Sequence, residues 1–213
     1  MPEMPVKIPS GSIDLEARYE IGNGTGAALI CHPHPLYGGS MENNVVLTLQ
    51  GALSLWGWGT LRFNFRGVGG IGGRHGNGHG EVEDLLAAVA FLRGKGHETL
   101  HVAGYSYGAW IVLKAVLEGL HAASLLLVSP PLDFMDFSGL QLPSTPCLIT
   151  LGEQDDYCRQ ESLQEWLEKQ PDTAGMRDVA VFPGGDHFYW GVERDLSLKV
   201  GAFLSGRFRR NVG

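Results

Sequence analysis

Cysteine is scarce in this chain, and its spacing excludes a disulfide framework. Cys31, Cys147 and Cys158 are odd in number and include no C-x-x-C pair. They read as free thiols, as expected in a reducing cytoplasm. Long hydrophobic runs are also absent. None approaches the roughly 18 residues that a bilayer-spanning helix requires. Met1-Pro2-Glu3-Met4-Pro5 has neither the basic region nor the apolar stretch of a secretory signal. Positive charge is in deficit, with 16 Lys and Arg against 23 Asp and Glu and a net charge of −7. That balance argues against nucleic acid or an anionic membrane as the principal partner. The short basic stretch Arg207-Phe208-Arg209-Arg210 reads as solvated cations at a helix C-terminus. What remains is globular in composition, with 44% apolar and 18% charged residues. A length of 213 residues suits one domain over residues 1–213 with a substantial core. Oligomeric state is left open.

The order of predicted elements gives the fold class. Val6-Lys7-Ile8 and Ile13 to Arg18 flank Pro9-Ser10-Gly11 as an opening hairpin. The second segment alternates apolar and polar residues, as an edge strand should. Ala27 to Cys31 is continuously apolar, as expected of a central parallel strand. A helix near Asn44 to Trp56 and a strand Gly59 to Phe65 follow. A glycine-rich loop over 66–80 leads to a helix Glu81 to Leu92, whose apolar face is Val82, Leu85, Leu86, Val89 and Leu92, with Gly94 as its stop. Further strands are expected at Leu100 to Ala103, Ser124 to Val128, Pro146 to Leu151 and Val179 to Phe182. Helices are expected at Ala109 to Leu117, Gln160 to Lys169 and Leu196 to Phe208. Strands alternating with helices imply an α/β fold, a mostly parallel central sheet with helices on both faces. Only 15 residues, Pro131 to Thr145, separate two of the strands. That leaves no room for a large cap domain, so any site at the strand ends is open and shallow.

Gly104-Tyr105-Ser106-Tyr107-Gly108 is a G-x-S-x-G pentapeptide between a strand and a helix. A sharp turn there needs small residues beside the serine, lifts the hydroxyl clear of the sheet, and aims helix N–H groups at a developing oxyanion. Acids at Asp155 and Asp156 follow the strand Pro146 to Leu151, and His187 follows the strand Val179 to Phe182. A serine hydroxyl needs a base within hydrogen-bond reach, and an imidazole titrating near neutrality supplies one. His121 lies beside the start of a strand, away from the strand C-termini. Asp186, next to His187, is better suited to bonding its own turn.

The chain order Ser, Asp, His, with each residue following a strand, resembles the α/β-hydrolase superfamily from about residue 25 to about residue 205. A narrower resemblance rests on two blocks. His32-Pro33-His34-Pro35-Leu36-Tyr37-Gly38-Gly39 and Arg62-Phe63-Asn64-Phe65-Arg66-Gly67-Val68-Gly69 are similar to the signature of small, lidless bacterial hydrolases, largely uncharacterised. Members of that group often carry a serine where this chain has Gly70-Ile71-Gly72. The resemblance implies Ser106 as nucleophile, His187 as base and, through a G-x-x-D turn from Gly152, Asp155 rather than Asp156 as the orienting acid.

An oxyanion hole needs two backbone donors. One is expected from Tyr107, the residue after the nucleophile. The other belongs to the loop after Cys31, where Pro33 and Pro35 have no N–H and His34, Leu36 and Tyr37 remain. Resemblance to the H-G-x loops of relatives favours His34 or Leu36. His32 and His34 share a face of an extended segment, but the sequence places no third ligand near them, so no metal is expected. Gly67-Val68-Gly69-Gly70-Ile71-Gly72 matches G-x-G-x-x-G, yet the helix begins too late for a dinucleotide site. It reads as a loop bordering the site. Cys31 and Cys158 are not at the elbow, so neither is expected to act as nucleophile. Tyr105, Tyr107, Phe188, Tyr189 and Trp190 are candidates to line an acyl or leaving-group pocket, with Tyr37, Tyr107 and Phe188 foremost and Trp110 facing the core. The implied activity is a serine hydrolase, a carboxylesterase or thioesterase without a cofactor, acting on a small ester or thioester. The alternatives are a peptidase- or amidase-like enzyme and a catalytically weak ligand-binding protein of the same fold.

Overall fold

The computed structural model describes residues 2–69, 72–171 and 176–208. Strands β1 (Met4–Ser10) and β2 (Ile13–Glu20) form an antiparallel hairpin that turns at Gly11, with φ at +58°. The chain then alternates β3 (Gly26–Cys31), α1 (Asn44–Ser54), β4 (Gly59–Phe63), α2 (His79–Gly94), β5 (Thr99–Tyr105), α3 (Tyr107–Leu117) and β6 (Ser124–Val128). It closes with β7 (Cys147–Gly152), α4 (Gln160–Glu168), β8 (Arg177–Phe182) and α5 (Glu193–Ser205). All eight strands join one sheet in the order β1-β2-β4-β3-β5-β6-β7-β8, parallel from β4 to β8. Between β6 and β7 the chain makes turns but no helix, so no cap domain is inserted.

Pleating divides the core in two. Ala27, Leu29 and Cys31 of β3 face one side with α2, α3 and α4, while Ala28 and Ile30 face the other with α1 and α5. Each fully buried Leu, Ile, Val or Phe contributes about 1.5–3 kcal/mol of transfer free energy. The strands therefore emerge from a rigid two-sided base, and the loops at their C-terminal ends are where side chains are free to meet.

Four expectations shift. The edge strand is β1, because β2 pairs with both β1 and β4. The alternation in β2 reports a sheet face left half-open, not a sheet edge. The stop of α2 is Gly96, with φ at +90°. Gly96 N–H donates to Arg93 C=O at 2.9 Å and His97 N–H to Leu92 C=O at 3.1 Å. That pair is the Schellman closure, and Gly94 lies within the helix. Helix α2 also begins two residues before Glu81, because the Glu81 carboxylate reaches back as a cap to Gly78 N–H at 2.9 Å. The closing helix runs Glu193–Ser205. Arg207 lies beyond it, paired with Asp178 at 3.0 Å and stacked over Phe203. Arg209, Arg210, Gly70 and Ile71 fall outside the described residues, so the full basic tail and the whole glycine motif are not seen.

Two buried histidines give the fold a pH dependence. His32 accepts from Phe65 N–H at Nε2 (2.9 Å), so its Nδ1 carries the proton, 2.6 Å from Pro33 C=O. His101 stacks on Trp58 with centroids 3.6 Å apart and bonds Ser124 Oγ at 2.8 Å through Nδ1. Burial holds both imidazoles down at about 4. In the unfolded chain they titrate near about 6.5. Between those values the unfolded state binds more protons, so stability is full above about pH 6.5 and falls toward pH 4, by roughly 3 kcal/mol per histidine. Melting temperature should fall steadily from pH 7 to pH 4.5. A midpoint that stays flat across that range would show that these rings are not held neutral.

Candidate active site

The nucleophile elbow is built as steric constraint. Ser106 joins β5 to α3 with φ 53° and ψ −119°, a region costly for any residue with a Cβ. Its N–H donates to Val128 C=O at 2.8 Å and its C=O accepts from Ala109 N–H at 2.9 Å. A Cβ on Gly104 would lie 2.4 Å from Gly108 O, and one on Gly108 would lie 2.4 Å from Cys31 O. Both glycines of the pentapeptide are thus required by close backbone approach.

Three loops bring the polar groups to this turn. Ser106 Oγ lies 2.9 Å from His187 Nε2. His187 Nδ1 lies 2.8 and 3.0 Å from the two oxygens of Asp155. A carboxylate accepts only, so the imidazole proton sits on Nδ1 and Nε2 is free to accept from the serine. All three side chains are buried. Asp155 Oδ1 also accepts from the N–H groups of Tyr157 (2.9 Å) and Cys158 (3.0 Å), which fix its rotamer. Asp156 is exposed. Asp186 accepts from Phe188 N–H at 2.9 Å within its own turn. His121 is exposed. This is a Ser-His-Asp triad.

Opposite the histidine, the loop after β3 approaches the first turn of α3, whose leading residue is Tyr107. A 3-10 turn, Pro35–Tyr37, is capped by the His34 side chain. Leu36 N–H donates to His34 Nδ1 at 3.2 Å, and the N–H groups of Tyr37 and Gly39 donate to His34 C=O at 3.1 and 3.0 Å. The amides of Leu36 and Tyr37 are therefore turned into the loop itself. A Cβ on Gly39 would lie 2.1 Å from Pro33 O, which explains a glycine there.

Chain-wide comparison agrees with this geometry. No protein-family model matches the chain. An uncharacterised protein of Rickettsia prowazekii is 32% identical, over 96% of this chain and 89% of its own. The structure of an alpha-beta serine hydrolase homologue from Coxiella burnetii is 34% identical with a TM-score of 0.87, covering 96% of this chain and 98% of that one. An α/β serine hydrolase without lid from Xanthomonas campestris is 28% identical with a TM-score of 0.89, covering 98% and 96% respectively.

The chain belongs to the α/β serine hydrolases. As in the lidless relative, no cap domain covers the site of this hydrolase among the described residues. Ser106 opens into a mostly apolar cleft of about 260 Å³. Tyr37, His34, Tyr107 and Phe188 border it, as do Tyr105, Pro131, Phe134, Met135 and Tyr157. Tyr189 is fully buried and Trp190 is exposed, and neither lines the cleft. Trp110 is buried in the core, and its indole N–H donates to Asp136 C=O at 2.7 Å. Cys31, Cys147 and Cys158 are free and buried, and burial pushes all three thiols up, Cys147 to about 12. None is a nucleophile under ordinary conditions.

Sequence reasoning missed several contributors to this hydrolase site. Phe134, Met135 and Tyr157 come from segments with no local pattern to mark them. Tyr105 donates its hydroxyl to His187 C=O at 2.8 Å and so anchors the catalytic loop. The buried Tyr189 hydroxyl bonds Thr150 Oγ1 at 2.9 Å and Ser129 Oγ at 3.1 Å, tying the same loop to the ends of β6 and β7. The Arg62-to-Gly69 block turns out to be scaffolding. Asn64 Oδ1 holds Met41 N–H at 2.9 Å, Phe65 N–H holds His32, and buried Asp84 binds Arg66 and Ser10. Among the described residues no helix is long and apolar enough to cross a membrane, and no three metal-ligating side chains converge.

Proposed function

We propose that this serine hydrolase is an esterase or thioesterase for small, accessible substrates with an apolar, preferably aromatic, leaving group. Ser106 Oγ attacks the acyl carbonyl while its proton passes to His187 Nε2. Asp155 stabilises the imidazolium that forms. The N–H groups of Tyr107 and His34 hold the tetrahedral oxyanion. His34 is the second donor because the amides of Leu36 and Tyr37 are engaged inside their loop. Collapse breaks the bond to the leaving group, which takes the proton from His187. Water then enters by the same route: it gives a proton to His187 as its oxygen bonds the acyl carbon, the acyl–Oγ bond breaks, Ser106 Oγ takes the proton back from His187, and the acid leaves. The three buried free thiols fit a cytoplasmic enzyme.

One observation carries the substrate class: the ring that hands the proton to the leaving group is itself flanked by exposed aromatic rings. Tyr157 lies 4.6 Å from the His187 ring and Phe188 lies 5.7 Å from it, edge to face. Both remain 40% or more exposed, so a departing aryl alcohol or thiol would cover them. Tyr37 and Phe134, 5.8 Å apart, extend this rim. The small cleft then receives the acyl group. An aryl acetate, its thioester and the matched anilide should separate, with turnover of the first two and none of the third. Equal turnover of the anilide would point to an amidase.

Replacing Tyr157 or Phe188 by Ala should raise KM for an aryl acetate about 2- to 10-fold, the worth of one aromatic pairing, with kcat within about 2-fold. The methyl ester of the same acid should be unaffected. An equal rise for both esters would contradict the leaving-group assignment.

A further inference from the structure

Behind the oxyanion loop lies a second acid–histidine pair that the chemistry above does not use. Glu81 is fully buried at the start of α2. Its carboxylate accepts from Gly76 N–H at 2.8 Å and Gly78 N–H at 2.9 Å, and His75 Nδ1 lies 2.9 Å from Oε1. Burial alone would push this carboxyl up, but the backbone N–H groups of Gly76, Glu81 and Gly78, with His75, outweigh it and hold it below the usual range. It is an anion at neutral pH. The His75 ring packs on His34 at 4.8 Å and on Tyr107 at 5.6 Å, and those two rings meet each other at 4.5 Å. His34 and Tyr107 are the residues whose backbone N–H groups we assign to the oxyanion hole. The glycine-rich loop, expected to border the site, thus reaches it through one side chain placed behind the cleft wall.

We propose that Glu81 and His75 are positioning residues for the oxyanion hole, clamping the rings of His34 and Tyr107 so that their two N–H groups stay aimed at one point. This rests on the serine-hydrolase reading above. The clamp also needs His34 unprotonated at Nδ1, because that atom accepts from Leu36 N–H. Burial, and then the neighbouring His75, lower His34, while Glu81 acts in the opposite direction. His32, fully buried beside the same loop, holds its own Nδ1 proton toward Pro33.

The test uses the full chain and a trifluoromethyl ketone that forms a tetrahedral adduct on the serine. His75→Ala should lower kcat on an aryl acetate about 10-fold and weaken the ketone by a matching factor, since both depend on oxyanion stabilisation. KM should stay within about 2-fold. His75→Asn, which keeps a polar side chain beside Glu81, should recover part of both losses. Glu81→Gln should lose kcat in the same pattern, which covers the case of a His75 variant that fails to fold. Unchanged kcat and ketone affinity in the folded variants, or a rise in KM in place of a fall in kcat, would overturn the clamp alone. A wild-type protein that neither turns over ester nor captures the ketone would overturn the hydrolase reading with it.

Discussion

Ser106→Ala should abolish turnover, by about 10⁴- to 10⁶-fold in kcat, while the chain stays folded. The size follows from the triad acting as one unit. Without the hydroxyl, His187 has no proton to accept and no acyl-enzyme forms, so only the oxyanion donors and binding remain. Folding should be preserved because the side chain is small and its one bond is to His187. A companion variant sharpens the point. At φ 53° and ψ −119°, any Cβ is strained by about 1–3 kcal/mol, and glycine relieves that strain at an entropic cost of roughly 0.5–1 kcal/mol. Ser106→Gly should therefore be equally inactive yet about 1 kcal/mol more stable in urea denaturation. Loss of stability in the glycine variant would mean that the elbow is not strained, and retained turnover in either variant would remove Ser106 from the nucleophile's role.

Asp155→Asn should cost about 10⁴ in kcat, as expected when the acid that sets the imidazole tautomer is neutralised without a change of shape. Asn presents an N–H where His187 Nδ1–H needs an acceptor, and the ring responds by turning its proton toward the serine. Asp156→Asn should leave kcat within about 2-fold, because that residue is exposed and only Asp155 meets His187. The pair of variants distinguishes neighbours that sequence spacing alone does not. Similar losses in both would mean that the turn after β7 rearranges to let either carboxylate serve.

That turn illustrates why parts of the site were legible and parts were not. Ser106 and His187 could be read directly, because a Gly-flanked serine between strand and helix and a histidine after a late strand are local patterns. The choice between Asp155 and Asp156 depends on which carboxylate meets the amides of Tyr157 and Cys158, a matter of turn geometry. The oxyanion loop was narrowed by its prolines, yet the use of the Leu36 amide on the His34 ring is a three-dimensional contact. The parallel sheet followed from continuously apolar strands such as β3, whereas the place of β2 inside the sheet did not. A strand with one half-open face alternates whether or not it is an edge. The aromatic rim was half visible: Tyr37 and Phe188 sit beside recognisable motifs, while Phe134 and Tyr157 reach the cleft from loops without a pattern. Glu81 was visible only as the first residue of an expected helix, and its bonds to Gly76 and Gly78 and its place beside His75 required the fold.

The central claim is that Ser106 is an activated nucleophile, and labelling with a fluorophosphonate followed by intact-protein mass spectrometry tests it most directly. Wild-type protein should gain the mass of a single phosphonyl group, and Ser106→Ala should gain none. A well-folded wild-type chain that takes up no label, or a variant that still does, would contradict the account.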